Sequence, residues 1–189
     1  MNKFVFVVSH LGSDYLNLIN ALNNHPKIQI FDNNCIYRNP LSLKITCSLE
    51  HKLLNSSAIY GDCLLRNVNL QTNDLYSICK FIYLIDSAKP SLNKIIANTN
   101  NFNIEFAARY YCYRLRRIYE MMKCNFGVFV DTQKFSESLL EISKYLDLTE
   151  SCSGEFLETP YENVIPSDIL QYCEERYEYY LYKIRSINH

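Results

Sequence analysis

Ser9, His10, Gly12, Ser13 and Asp14 stand together between a short apolar run and an amphipathic segment. Small polar residues with a glycine in that position let a chain present backbone N–H groups to an anion at a helix N-terminus. The stretch "KFVFVVSHLGSDYLNLINALNNHP", Lys3 to Pro26, has this layout. It lacks the lysine or arginine that such a turn carries, and Asp14 stands where a hydroxyl is expected. Acids recur farther on: Asp32 after "IQIF", Asp62 after "AIYG", Asp86 after "FIYLI" and Asp131 after "GVFV". Each alone is an ordinary turn or N-cap residue. Together they mark one edge, because parallel sheets bind ligands beyond the carboxyl ends of their strands.

The elements that must position these residues are legible as patterns. Five apolar runs, "KFVFVV", "KIQIF", "AIYG", "KFIYLI" and "FGVFV", predict strands. Their apolar character is continuous rather than alternating, which favours parallel strands covered on both faces. Helical patterns lie between them, at Ser13–Asn23, more weakly at Leu41–Asn55, and after Thr72. "SAKPSLNKIIANT" predicts a helix with Pro90 in its first turn. The longest helix is expected over Ile104–Cys124, another in "TQKFSESLLEISKYLDL", and a last one in "IPSDILQYCEERYEYYLYKIR" with Ser167 as N-cap. The expectation is an α/β fold, a parallel sheet of about five strands flanked by helices, forming one domain over residues 1–189. No repeat or low-complexity linker divides the chain.

Composition removes several function classes. A formal net charge of −1 gives no global field toward DNA or an acidic membrane, so any polyanion needs a local basic cluster. The eight cysteines are never closer than twelve positions and include no C-x-x-C pair, so no metal site is expected. Several fall inside apolar helix patterns and are expected to be reduced, buried thiols. "FVFVV" is too short for a signal-peptide core, and no run approaches a membrane span, so the expectation is a soluble, intracellular protein. The bias toward asparagine, lysine, isoleucine and tyrosine suggests an AT-rich genome and bears on source, not activity.

In order and spacing, these pieces resemble the sulfotransferase superfamily, whose members bind the sulfate donor PAPS on a P-loop-like α/β fold. The family's loop P-R-S-G-T-[TS]-[WL]-L is matched by "SHLGSDYL", Ser9 to Leu16. Its N-x-H-P helix end is matched by "NNHP", and its strand K-x-I-x-L-x-R-D-P-R-D by "KFIYLIDSAKP", Lys80 to Pro90. "FGVFVDTQKF", "ISKYLDL" and the C-terminal helix follow in family order, so the resemblance covers nearly the whole chain. It implies a P-loop-like sulfotransferase architecture, PAPS (3′-phosphoadenylyl sulfate) as donor, and transfer to a hydroxyl of a sugar, peptide or small molecule. Gly12 and Ser13 would contact the donor's phosphosulfate, with His10 in place of the loop's basic residue. Asp32, after "HPKIQIF", matches the carboxylate that serves as base in members resembling tyrosyl-protein sulfotransferases. Asp32 and His10 are the catalytic candidates.

The departures cut into the donor chemistry. Asp86 falls where the family's arginine binds the nucleotide 3′-phosphate, and Lys94 where a serine follows. At ~4 Å and an effective dielectric near 20, an attraction of about 4 kcal/mol becomes repulsion of similar size. Lys89 keeps the motif's second basic position, so Lys89, Lys94 and His10 are candidates for a rebuilt anion site. Arg109, Arg114, Arg116 and Arg117 read first as a solvated helix face. Two readings stay open: a divergent, active sulfotransferase, or an inactive member kept as a binding module. The second would use the tyrosine-rich C-terminal helix, with Tyr172, Tyr177, Tyr179, Tyr180 and Tyr182, for a protein partner. A nucleotide kinase would need G-x-x-x-x-G-K-[ST], which is absent. Nucleic-acid binding through "RYYCYRLRR" is disfavoured because helical spacing scatters those side chains over several faces.

Overall fold

The computed structural model describes residues 3–31, 58–65, 79–99, 103–155 and 164–187. The helical patterns expected at Leu41–Asn55 and after Thr72 lie outside the described residues, as does Asp32. Among the described residues there are five strands: β1 (Lys3–Val8), β2 (Ile28–Phe31), β3 (Ile59–Leu64), β4 (Cys79–Leu84) and β5 (Gly127–Val130). All pair in parallel, in the order β2-β3-β1-β4-β5. The helices are α1 (Tyr15–Asn23), α2 (Ala88–Asn98), α3 (Ile104–Cys124), α4 (Phe135–Tyr145) and α5 (Ser167–Arg185).

The continuous apolar strands bury both faces. Phe4, Phe6 and Val8 of β1 point to a core built with Leu92 and Ile95 of α2, Tyr111, Leu115 and Ile118 of α3, and Cys173, Leu181 and Ile184 of α5. Val5 and Val7 point the other way, to Leu18 and Leu22 of α1 and Leu139 and Ile142 of α4. With a side-chain period of two, one six-residue strand therefore holds two helical layers together. Full burial of each such side chain contributes about 1.5–3 kcal/mol.

Three details differ from expectation. The third strand runs past "AIYG" to Leu64, because Cys63 and Leu64 continue the ladder opposite Val7 and Val8. Asp62 is thus inside β3 and fully buried rather than at a strand end, and its Oδ1 accepts the Cys63 N–H at 2.7 Å. Ser167 is the first residue of α5, with Pro166 in the cap position and no side-chain cap bond. In α3, Arg114 is only 1% exposed, while Arg116 and Arg117 reach Glu120 at 2.9 and 2.8 Å. Residues 111, 114, 115, 118 and 122 share the inward stripe of α3, so Arg114 belongs to the buried face and not to the solvated one. Tyr111 is also fully buried, so neither it nor Arg114 can stack on a nucleobase.

Candidate functional site

The strand order changes direction around β1, with β3 on one side and β4 on the other. The carboxyl ends of β1 and β4 therefore flank the switch point where such sheets open a crevice. Ser9–Asp14 leaves β1 there and leads into α1, and Ile85–Asp86 leaves β4 beside it.

The loop is fastened from several directions. The Ser9 N–H donates to Leu64 O at 3.2 Å, and Ser9 Oγ donates to Leu84 O at 2.8 Å, tying it to both neighbouring strands. Ser13 Oγ touches Ser9 Oγ and donates to His10 O at 2.7 Å. Arg114 reaches up from α3, its Nε donating to Ser9 O at 2.8 Å and a terminal nitrogen to Leu64 O at 2.5 Å. Tyr110 Oη accepts the Leu11 N–H at 3.0 Å and donates to Leu65 O at 2.9 Å.

Gly12 is required by this packing. A Cβ built on it would lie 2.1 Å from Ser91 O in α2, so the close backbone approach it permits is to its own chain. Gly12→Ala should destabilise the fold by about 3 kcal/mol, the upper end for overpacking, since the three atoms it would meet are all backbone of Ser91. A chemical-denaturation midpoint within error of wild type would contradict this.

Three of the loop's backbone donors are already used within the chain. The Leu11 N–H goes to Tyr110, the Ser13 N–H to His10 O at 3.0 Å, and the Asp14 N–H to Asp86 Oδ2 at 2.7 Å. Asp86 thus sets a carboxylate against the amino end of α1, where an anion is favoured by the helix dipole. Burial pushes its pKa up to about 6, while the Asp14 N–H, Lys94 and Thr132 counter that shift. At neutral pH it is mostly charged.

The candidate cations are placed differently from one another. Lys94 is 6% exposed and its Nζ is paired with Asp14 Oδ1, so its charge is met within the chain. His10 is fully buried, and its Nε2 accepts the Asp86 N–H at 3.2 Å. That bond assigns the proton to Nδ1, which has no hydrogen-bond partner among the described residues. Burial, with Arg114 and Lys94 nearby, lowers the His10 pKa to about 3, so it is neutral and supplies no cation. The Lys89 side chain is exposed, and its N–H is held by Glu174 Oε1 of α5 at 3.1 Å. The structure therefore brings together His10, Gly12, Ser13 and Lys94, with Asp14 and Asp86, and leaves Lys89 at the rim.

Beside this cluster a cleft of about 600 Å³ opens between α1 and α2, lined by Ser13, Asp14, Tyr15, Lys94, Ile95 and Asn98 among others. Arg114 and Tyr110, which hold the loop, were the groups hardest to find in the sequence. Their signal was the i, i+3, i+4 spacing that sets Arg114 on the stripe of Tyr111 and Ile118. Among the described residues no group of three or more His, Cys, Asp or Glu side chains is placed to hold a metal. Nor, among them, is any helix long and apolar enough to cross a membrane.

No family model and no curated protein sequence matches this chain. Among solved structures, mouse sulfotransferase SULT7A1 complexed with PAP superimposes with a TM-score of 0.52 at 14% identity. The fold is sulfotransferase-like. The match covers 92% of this chain and 64% of that protein. At this identity the sulfotransferase-like fold is what the two chains share.

Proposed function

We propose that this chain uses the sulfotransferase-like fold as a binding module and does not transfer a sulfo group from PAPS at neutral pH. The observation that carries this reading is the 2.7 Å bond from the Asp14 N–H to Asp86 Oδ2. A carboxylate of the chain itself occupies the amino end of α1, and the nearest buried lysine is committed to Asp14. An incoming phosphosulfate would have to displace one carboxylate and lie beside another, with no counter-charge from His10. Exposed Tyr172, Tyr179 and Tyr182 on α5 give this module an amphipathic face suited to a protein partner.

A divergent sulfotransferase, taking PAPS as donor and a hydroxyl as acceptor, is the second reading. The cleft beside Ser13 and Lys94 favours it, being large enough for part of a nucleotide. In that reading Asp32 is the base.

Calorimetric titration with PAP separates the two, using wild type and Asp86→Asn at neutral pH and two salt concentrations. The binding-module reading expects no heat from wild type up to millimolar PAP, and binding at least about tenfold tighter in Asp86→Asn once the repelling charge is gone. Micromolar binding by wild type, weakening with salt, would overturn it and support the donor site.

A further inference from the structure

Cys112 of α3 and Cys173 of α5 face each other with their sulfurs 3.6 Å apart. A disulfide needs about 2.05 Å, so an approach of about 1.5 Å, within reach of side-chain rotation, would join them. Both are thiols in this structure, as are exposed Cys124 and buried Cys152. We propose that Cys112 and Cys173 form a reversible dithiol/disulfide pair that clips the C-terminal helix α5 onto α3 in response to low-molecular-weight disulfides.

The two sulfurs differ in access and chemistry. Cys173 is fully buried in the core shared by α2, α3 and α5. Cys112 is half-buried and lines a cleft of about 640 Å³ together with Arg109, Asp168 and Tyr172. Its pKa is lowered by the hydrogen bond with Cys173 and, against the opposing effect of burial, by Arg176. The same hydrogen bond with Cys112, then burial and the neighbouring Cys112 charge, hold the Cys173 pKa up. Cys112 is therefore the attacking thiol and Cys173 the resolving one.

In the first step the Cys112 thiolate attacks one sulfur of glutathione disulfide. A protein–glutathione S–S bond forms, the glutathione S–S bond breaks, and one glutathione leaves as a thiolate that takes a proton from water. Cys173, on losing its proton to solvent, then attacks the Cys112 sulfur and expels the second glutathione. Two protein thiols lose two electrons and two protons, and one glutathione disulfide becomes two glutathione thiols.

The clip bears on the site because α5 reaches it at two points. Glu174, next to Cys173, accepts the Lys89 N–H at the start of α2. Arg185, at the other end of α5, donates to Asp131 Oδ2 at 3.0 Å, just beyond β5. Fixing α5 to α3 therefore steadies the segments that follow β4 and β5, on one side of the crevice.

The test uses the full reduced chain treated with glutathione disulfide, quenched by alkylation and mapped by peptide mass spectrometry. The expected result is a Cys112–Cys173 cross-linked peptide in wild type, with the Tm raised by ~5–10 °C and amide exchange slowed along α5. Cys173→Ser should instead trap glutathione on Cys112, and Cys112→Ser should leave Cys173 unmodified. Exposed Cys124 reports that the oxidant was active. Free thiols at both positions after Cys124 has reacted would overturn the proposal. So would glutathione persisting on Cys112 in wild type, or Cys112 linked to a different cysteine.

Discussion

Arg114→Met should lower stability by about 3–5 kcal/mol in urea unfolding, while leaving side-chain volume nearly unchanged. The guanidinium is 1% exposed and donates to the carbonyls of Ser9 and Leu64, each within 2.8 Å. A hydrogen bond from a charged donor contributes about 1.5–3 kcal/mol, and here two are lost together. The methionine also removes the Arg114 donor from buried Ser9 O and leaves Leu64 O the longer bond from the Ser9 N–H at 3.2 Å. Arg114→Lys should recover only part of the loss, because one ammonium cannot reproduce the planar fork that spans two strands. A loss below about 1 kcal/mol in Arg114→Met would show that the loop is held by its other contacts, the two serines and Tyr110.

Acidification should pull stability in two opposite directions, and single variants separate them. His10 titrates near its ordinary value of 6.5 when unfolded but at about 3 when folded. Below pH 6.5 the unfolded chain binds the extra proton, so stability falls as pH drops, by about 5 kcal/mol in total once pH reaches the folded value. Asp86 runs the other way, from an ordinary 3.8 unfolded to about 6 folded. The folded state takes up the proton first, so stability gains about 3 kcal/mol as pH falls from 6 to below 4. Wild type should show a shallow net decline from these two groups. His10→Gln keeps an acceptor for the Asp86 N–H without the titration, and should become more stable on acidification through this window. Asp86→Asn should show the full loss set by His10. Equilibrium unfolding against pH reads both, and parallel curves for the two variants would rule out these assignments.

Both predictions concern groups whose importance comes from burial, and they show where a sequence stops being readable. The apolar runs of β1 and β4 announce parallel strands because no alternation is possible when helices cover both faces. Ile104–Cys124 and the proline-started helix at Ala88 follow equally directly from periodicity and local backbone chemistry. The opening loop was recognisable as an anion-binding shape, since glycine, small hydroxyls and a helix start are all local features. Asp62 was misplaced because the strand end depends on pairing with β1, which no short window contains.

The roles at the site belong to the same second kind. Residue 86 lies 72 positions from residue 14, and only the parallel register of β1 and β4 sets its carboxylate against the Asp14 N–H. In sequence His10 is a candidate for an anion site that a nearby anion could charge, and in the fold burial holds it neutral. Sequence by itself determined the strands apart from the end of β3, the helices seen among the described residues, and the chemical types gathered at one edge, since these follow from side-chain period and backbone preference. Tertiary structure alone decided which charges are spent on one another, because ion pairing and desolvation depend on distances that exist only once the chain has folded.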